Sequence, residues 1–325
     1  MQKLTKDKKL IKISYMNNKA VHFFYILLGL LFLLIIVYLF KTNYSLNYYL
    51  AKSKKLLVNY DEKKIFKLKK KLEKELNKCS NSQKKKKEKI ILLLGRLSFV
   101  QALHSKSALR RTYLQRALKY FDSILNSQND NLKPRLYFWI GITYYELGAV
   151  YYPQSIDFLI KALKSGYSQK IKIIKILNYI YLKNKDFNSI ISINTEFMKQ
   201  NYYDTDIVYT LGIAYKKKEK IDKAIRVFAL ITNIQNKNRD LGASVYNELI
   251  SYYIRKENYK TALKFVQKFR DFYPENLDAK YMAALVLFYM GDSQSLTLLN
   301  ELLNSGYTNK VVNSVYIKAK EKFLK

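Results

Sequence analysis

The stretch that decides the fold covers residues 211–231 and reads LGIAYKKKEKIDKAIRVFALI. In its first part, Gly212 precedes Tyr215 by three residues. In its second part, after a lysine-rich run, Ala224 precedes Phe228 by four. Residues three and four apart share one face of a helix, so this pattern predicts two helices joined by a turn. We expect the two helices to cross closely, because each has a small residue one turn away from a large aromatic one.

The same pattern recurs along the chain at a period of about 34 residues, which is the length of one helix–turn–helix repeat. In the unit that follows residues 211–231, Pro274 stands at the position of the proline that ends the repeat motif. Five or six units in one register are typical of a repeat protein, in which each unit buries its apolar face against its neighbours. The pairs that correspond to Leu211-Gly212 are Leu94-Gly95, Ile140-Gly141, Leu177-Asn178, Leu249-Ile250 and Ala283-Ala284.

With L-G-x-x-Y followed by A-x-x-x-F in residues 211–228 and partial matches in the other units, the chain resembles the tetratricopeptide repeat (TPR) family over about residues 90–307. The resemblance implies an all-α fold in which helical hairpins stack into a right-handed superhelical solenoid. It also implies a concave groove lined by the first helix of each hairpin. We therefore expect a TPR array of five or six repeats over residues 90–307 and a C-terminal capping helix over residues 308–325.

An apolar run precedes the array. Residues 21–40 read VHFFYILLGLLFLLIIVYLF and contain no Asp, Glu, Lys or Arg. Twenty helical residues span roughly 30 Å, the thickness of the hydrocarbon core of a bilayer. The run is longer than the apolar part of a signal peptide, and no A-x-A cleavage pattern follows it. It predicts an N-terminal transmembrane signal anchor, with a cleaved leader and a buried core helix as the alternatives.

The lysines that flank the run predict its orientation. Residues 1–20 carry six Lys, whereas residues 42–51 carry no basic residue. Because positive flanks stay in the cytoplasm, we expect a basic cytoplasmic tail over residues 1–20 and a periplasmic C-terminal domain on the inner membrane. Residues 41–89 are expected to form a basic helical stalk. The alternative is the opposite topology, with the array facing the cytoplasm. The amphipathic stripe of the stalk consists of Ile65, Leu68, Leu72 and Leu76.

The chain carries 59 Lys and Arg against 25 Asp and Glu, for a net charge of +34. Basic proteins commonly bind nucleic acid, anionic lipid or acidic proteins. No helix-turn-helix, zinc or RNP pattern occurs, so we expect no nucleic-acid partner. Base composition is an alternative source of the charge, because Lys, Asn, Ile, Tyr and Phe have A/T-rich codons. The run Lys84–Lys89 is interpreted as solvated, with an acidic partner or anionic lipid head groups as the alternative.

Catalytic patterns are missing from the sequence. It contains no G-x-x-x-x-G-K, G-x-G-x-x-G, H-E-x-x-H, G-x-S-x-G or C-x-x-C. A single Cys and two His make a disulfide framework and a metal site built from His or Cys improbable. We therefore expect no enzymatic activity, no cofactor, no metal ion and no small-molecule substrate.

The TPR resemblance also implies which residues line the groove of the array. A basic and aromatic groove is suited to an acidic peptide or helix of a partner protein. The alternative is that these residues belong to ordinary solvated helix faces. The implied groove residues are Arg135, Phe138, Ile142, Tyr145, Lys172, Lys175, Tyr179, Tyr209, Ile213, Lys216, Lys217, Asn247 and Arg255.

The A/T-biased composition, the anchor and the Tyr-rich unit YYELGAVYYPQSIDFLIKAL over residues 144–163 together resemble spirochaete envelope TPR proteins. Some of these proteins build the periplasmic collar around the flagellar motor. The resemblance implies a scaffold that contacts other collar proteins and the periplasmic domains of the stator, in support of motility. The alternative is a membrane-tethered TPR chaperone or an adaptor for secretion or envelope assembly.

Overall fold

Helices and turns make up the regular structure of the described residues, which contain no strand. The predicted all-α class is therefore confirmed. No helix within these residues has both the length and the apolar composition needed to cross a bilayer. The predicted tail (1–20) and membrane span (21–40) lie outside the described residues. The computed structural model describes residues 48–49, 51–53, 56, 59–200, 203–233, 239–307 and 310–324.

The chain divides into two compact units on either side of the Gly166–Tyr167 bond. From residue 62 onward, the helices of the first unit are α1 (Glu62–Asn77), α2 (Lys84–Leu103), α3 (Ser107–Asp122), α4 (Lys133–Leu147) and α5 (Tyr152–Lys164), with 3-10 turns at Asn81–Gln83 and Ala149–Tyr151. In the second unit they are α6 (Lys170–Lys183), α7 (Phe187–Lys199), α8 (Thr205–Lys217), α9 (Ile221–Ile231), α10 (Arg239–Arg255), α11 (Tyr259–Phe272), α12 (Leu277–Met290), α13 (Gln294–Asn304) and α14 (Lys310–Phe323).

Consecutive helices pack in pairs as hairpins. The first unit contains the hairpins α2–α3 and α4–α5, and the second contains α6–α7, α8–α9, α10–α11 and α12–α13. Within the second unit the first helices of successive hairpins also contact one another, α6 with α8, α8 with α10 and α10 with α12, and α14 packs against α13. A repeated hairpin that contacts its neighbours in sequence is the architecture of a TPR-like helical solenoid.

Glycine allows the two helices of three hairpins to approach closely. A Cβ atom added to Gly212 would lie 2.2 Å from Cε1 of Phe228, and one added to Gly95 would lie 2.3 Å from Cε1 of Phe121. In the hairpin α4–α5, a Cβ atom on Gly141 would lie 2.7 Å from Cγ of Leu159. These distances are too short for non-bonded carbon atoms. The large side chain of the second helix therefore fills the space that the glycine leaves open.

The same turn closes all four hairpins of the second unit. Lys185, Glu219, Glu257 and Gly291 have left-handed backbones, with φ of 55°, 60°, 55° and 80°. The next residue donates its backbone N–H, over 2.8 to 2.9 Å, to the carbonyl of residue 181, 215, 253 or 287. This bond defines a Schellman helix end. These carbonyls follow one another at 34, 38 and 34 residues, so the backbone itself reports the repeat. Glycine is the residue that favours this conformation, yet three of the four turns lack it.

The hairpin α6–α7 departs from the glycine–aromatic packing. Asn178 takes the place of Gly212 and Asn194 takes the place of Phe228. Both side chains are buried, with 3% and 0% of their surface exposed, and their N and O atoms bond to no other group of the described chain. Leaving a buried polar group without such a bond costs about 1–3 kcal/mol. We infer that this hairpin is less stable than α8–α9.

The helix α1 packs against α2 through the predicted stripe, in which Ile65, Leu68 and Leu72 are buried. The helix α2 starts at Lys84 and therefore runs across the expected stalk–array boundary at residues 89 and 90. The end of the predicted stalk thus forms part of the first hairpin.

A buried lysine joins α1 to α2. Lys69 is 6% exposed, and its Nζ atom donates to Oγ of Ser98 at 3.0 Å and to Oε1 of Gln101 at 2.9 Å. Burial lowers the pKa of Lys69 to about 8, with a further lowering from the charge of Arg116 that Glu73 opposes. The ammonium group is held by neutral acceptors, so its charge is poorly compensated where it lies.

We expect Gly212→Ala to destabilise the second unit by about 1–3 kcal/mol, because the new methyl group overlaps the ring of Phe228. The gain in helix propensity, about 0.5–1 kcal/mol, offsets only part of this loss. Chemical denaturation followed by circular dichroism measures the change. In the background of Phe228→Leu, which shortens the opposing side chain, the same substitution should cost clearly less. Equal losses in both backgrounds would show that the ring is not the obstacle.

The pH dependence of stability should report the buried lysine. The pKa of Lys69 is about 8 in the folded chain and 10.5 when unperturbed. Between these values the unfolded chain binds more protons, so the free energy of unfolding should rise with pH, by about 1–3 kcal/mol in full. Denaturation between pH 7.5 and 10 measures the rise, and Lys69→Met should remove it.

The exposed Lys264 provides the matched control, because Lys264→Met removes the same charge and should leave the rise intact. The comparison stops at pH 10 because tyrosines act in the opposite direction above it. Burial raises the pKa of Tyr246 to about 12, so the unfolded chain loses that proton first and stability falls. A flat curve for the unmodified protein between pH 8 and 10 would contradict the assignment to Lys69.

Candidate protein-binding surface

The groove residues expected from the sequence fall into both units and differ in exposure. Four of them belong to α4 of the first unit, and the other nine belong to α6, α8 and α10 of the second. Those that are exposed are Arg135, Lys172, Tyr179, Lys216, Lys217 and Arg255. Those that are half-buried are Tyr145, Lys175, Tyr209, Ile213 and Asn247. Those that are buried are Phe138 and Ile142.

Phe138 and Ile142 therefore correct the expected groove. They are 1% and 4% exposed, and Phe138 packs edge-on against the ring of Trp139 with centroids 5.6 Å apart. The helix α4 contacts α2, α3 and α5, so more than one of its faces is covered. The first-helix register assigned these two residues to a surface, but the packing of α4 against three neighbouring helices leaves both of them buried.

Two predicted tyrosines support the array from half-buried positions. Tyr145 stacks on Tyr152 of the same hairpin, with centroids 6.1 Å apart. Tyr209 packs against Phe228, with centroids 5.8 Å apart, and so supports the close helix crossing of α8–α9. Only part of each ring is therefore available to a partner.

Ion pairs join successive first helices in the second unit. Nζ of Lys175 on α6 lies 2.5 Å from Oδ2 of Asp206 and 3.0 Å from Oδ2 of Asp204, at the start of α8. Nζ of Lys216 on α8 lies 2.5 Å from Oε1 of Glu248 on α10. We call these pairs the first-helix ion pairs. They join α6 to α8 and α8 to α10.

The first-helix ion pairs change the electrostatics of the expected groove. Partial burial acts to lower the pKa of Lys175, but hydrogen bonds from its ammonium group to Asp206 and Asp204 outweigh this effect and raise the pKa. Lys175 and Lys216 therefore already have carboxylate partners within the chain. The positive charge that this face presents to a partner is smaller than the count of its lysines indicates.

The solvent-facing side of α6 combines apolar and basic groups. Ile171, Tyr179 and Leu182 are 42%, 42% and 37% exposed. They recur at spacings of eight and three residues, which places them on one side of the helix. Nζ of Lys183 lies 5.4 Å from the ring centroid of Tyr179. Exposed aliphatic and aromatic groups with a basic neighbour are typical of protein-binding surfaces.

Asn247 on α10 contributes a polar group to the same row of helices. Its Oδ1 atom is buried and accepts no hydrogen bond from another described residue. Because this oxygen is buried, it is not accessible to a partner in this conformation, and it leaves within the row an acceptor that is unpaired among the described residues.

The acidic residues of the first-helix ion pairs, Asp204, Asp206 and Glu248, were not expected from the sequence. The signal that points to them is spacing. Each lysine precedes its acidic partner by 29 to 32 residues, slightly less than one repeat. A search for opposite charges one repeat apart on first helices would have found them.

No group of three or more His, Cys, Asp or Glu side chains within the described residues has the arrangement of a metal site. His104 lies at the end of α2, and its ring stacks on Tyr60 with centroids 4.0 Å apart. Cys79 is half-buried, and its Sγ donates to the backbone oxygen of Glu75 at 3.3 Å. Both side chains thus have local structural contacts.

Comparison with known proteins gives fold likenesses only. No family model and no curated protein matches this chain. Among solved structures, the apo form of RapI is 15% identical with a TM-score of 0.44, over 86% of this chain and 98% of that one. A tetratricopeptide repeat protein from Parabacteroides merdae is 14% identical with a TM-score of 0.43, over 85% and 98%.

The apo form of the quorum sensor NprR from B. thuringiensis is 12% identical with a TM-score of 0.39, over 87% of this chain and 83% of that one. At these identities and TM-scores, the TPR-like fold of this chain rests on its own helix contacts.

We expect charge reversal to reveal the first-helix ion pairs. Lys216→Glu places two carboxylates together and should lower the free energy of unfolding by about 0.5–1 kcal/mol. Lys216→Glu combined with Glu248→Lys recreates the pair and should recover most of that loss. Lys217→Glu, at the adjacent exposed position, should change stability by less than about 0.5 kcal/mol. Equal effects of the two single variants in urea denaturation would argue against a structural pair at Lys216.

Proposed function

We propose that this protein is a scaffold that holds partner proteins on the first-helix face of its second unit. The observation that carries the proposal is the solvent-facing side of α6, where Ile171, Tyr179 and Leu182 are exposed beside basic groups. Apolar surface of this kind is stabilised when a partner covers it. Direct packing of α6 on α8 and of α8 on α10, supplemented by the first-helix ion pairs, places these helices in a row, so the surface is formed before a partner arrives.

The proposal assigns the protein a role in binding rather than in chemical transformation. A repeat array suits this role because neighbouring hairpins extend one surface over a long distance. Aromatic and aliphatic groups on α6 supply apolar contact, and exposed cations at Lys217 and Arg255 give charge selectivity at its border.

We further propose that residues 21–40 anchor the array to the inner membrane, with the array in the periplasm. The apolar run and the six lysines before it support this arrangement. The resemblance of the sequence to spirochaete envelope TPR proteins supports a place in the periplasmic collar of the flagellar motor. On that hypothesis the partners are other collar proteins and periplasmic domains of the stator, and many copies around a ring strengthen weak contacts through avidity.

Site-specific photo-crosslinking in the native cell tests the scaffold. A photoreactive phenylalanine derivative at Tyr179 should give discrete adducts with defined proteins, because that side chain is exposed on the proposed face. The same derivative at Lys264, exposed on the second helix α11, provides the control and should give none. An absence of adducts from Tyr179, or identical adducts from both positions, would count against the proposed surface.

The proteins crosslinked from Tyr179 also decide the finer hypothesis. Structural proteins of the flagellar motor or its stator among the adducts would support the collar role. Adducts with unfolded or newly exported envelope proteins alone would replace it with a chaperone role. A reporter that is active only outside the cytoplasm, fused after Lys325, tests the topology, and an inactive reporter would overturn the periplasmic location.

A further inference from the structure

A pocket of about 390 Å³ lies in the first unit, between α2, the loop before α4 and the first turn of α4. Four of the side chains that line it are the cations of Lys85, Lys89, Arg96 and Arg135. The volume is within the range of sites that bind small ligands or a few residues of a peptide. We call it the basic pocket.

The cations come from two helices that converge. Lys85, Lys89 and Arg96 lie at positions i, i+4 and i+11 of α2, which share one face. Arg135 projects from the first turn of α4. The run Lys84–Lys89 is thus the start of a helix that borders a pocket. Its cations lie at a helix N-terminus without an acidic residue in the first turn, which is unfavourable for the helix dipole.

The cations that line the basic pocket outnumber the acidic side chains of the same elements. Within the described residues, no Asp or Glu lines it. Glu88 is buried and accepts a hydrogen bond from Oγ of Ser127 at 2.8 Å. Asp130 pairs with Nζ of Lys133 at 2.9 Å. The pocket therefore carries an excess of positive charge at a concave site, where the field is focused.

One of the four cations is held in place by an aromatic ring. The guanidinium carbon of Arg96 lies 4.9 Å from the ring centroid of Trp139, which follows Arg135 by one turn of α4. A cation–π contact of this kind orients the guanidinium group and reduces the entropy lost when it binds a carboxylate. The two arginines are suited to bidentate contacts with a carboxylate. The two exposed lysines add positive charge on flexible side chains.

The remaining walls favour a peptide over a simple inorganic anion. Leu92, Leu93 and Leu132 also line the pocket, but they are only 4%, 1% and 5% exposed and offer a ligand little apolar area. Asn129 and Asn131 line the opposite side from the loop. A carboxamide both donates and accepts hydrogen bonds, as does a peptide group, whereas an inorganic anion chiefly accepts them.

We propose that the basic pocket binds an acidic segment of a partner protein in an extended conformation. Carboxylates of the segment contact Lys85, Lys89, Arg96 and Arg135, and its peptide groups exchange hydrogen bonds with Asn129 and Asn131. The proposal rests on the protein-binding function proposed above and adds a second contact point with its own chemistry. Since the basic pocket lies in the first unit and the crosslinking position in the second, either proposal can fail while the other stands.

Fluorescence anisotropy on the full-length protein in detergent tests the basic pocket. The probe is a labelled octapeptide of alternating Leu and Asp, and its partner peptide has Asn in place of each Asp. We expect the Asp peptide to bind and the Asn peptide to bind at least tenfold more weakly. Lys85→Ala with Lys89→Ala should weaken the Asp peptide about tenfold. Alanine removes cations from a helix N-terminus, so this variant should fold at least as well as the original.

Lys264→Ala with Lys268→Ala provides the matched control, because these exposed lysines also lie at i and i+4 but do not line the basic pocket. The control should bind the Asp peptide as the unmodified protein does. Equal losses in the two double variants would show general charge attraction and overturn the proposal. It would also be overturned if neither variant lost affinity, or if inorganic phosphate at the peptide's own concentration displaced the Asp peptide.

Discussion

The close crossing of two helices within each hairpin is the constraint on which the described structure depends. In α8–α9 the ring of Phe228 occupies the space that a side chain at Gly212 would need. A pair of large residues at this crossing would push the helices apart and open gaps around the contact. The constraint concerns the sum of the two side-chain volumes rather than glycine itself. In α10–α11 it is met by Ile250 opposite Val266, both of which are buried in one apolar cluster.

The hairpin α6–α7 shows how far the crossing tolerates substitution. Asn178 and Asn194 fill a volume between those of the other pairs, but they bring four polar atoms into the core. The turn after α6 keeps the left-handed backbone and the Schellman hydrogen bond found in its neighbours. The backbone geometry of the repeat therefore survives a change in the chemistry of its core, because helix packing on both sides still determines where the turn must go.

Opposite charges are arranged by the repeat as well. The first-helix ion pairs connect residues that are 29 to 32 positions apart, and Arg110 and Glu146 make a similar contact between α3 and α4. Exposed pairs of this kind contribute little stability each, about 0–1 kcal/mol. Their larger effect is on binding, since they cancel lysine charge on the first-helix face. The basic pocket is not cancelled in this way, although its lysines belong to the same Lys-rich composition.

Local periodicity was sufficient to predict the hairpins, because small and large residues three and four apart identify the buried face of a helix. It gave the positions of Gly95, Gly141 and Gly212 and the place of Tyr215 before the turn. Periodicity within one helix carries less information on which neighbour covers its other faces. Phe138 and Ile142 were for this reason expected on a surface, whereas both are buried in a helix that contacts α2, α3 and α5.

The sequence by itself determined the all-α class, the repeat and its register, since these follow from contacts between residues close in the chain. Only the tertiary structure decided which cations remain available to a partner. Lys175 and Lys216 meet carboxylates from the next first helix, while Lys85 and Lys89 face Arg135 across a pocket. Charge interacts through space, and the distances that decide its effect are set by packing between helices that lie a full repeat or more apart in sequence.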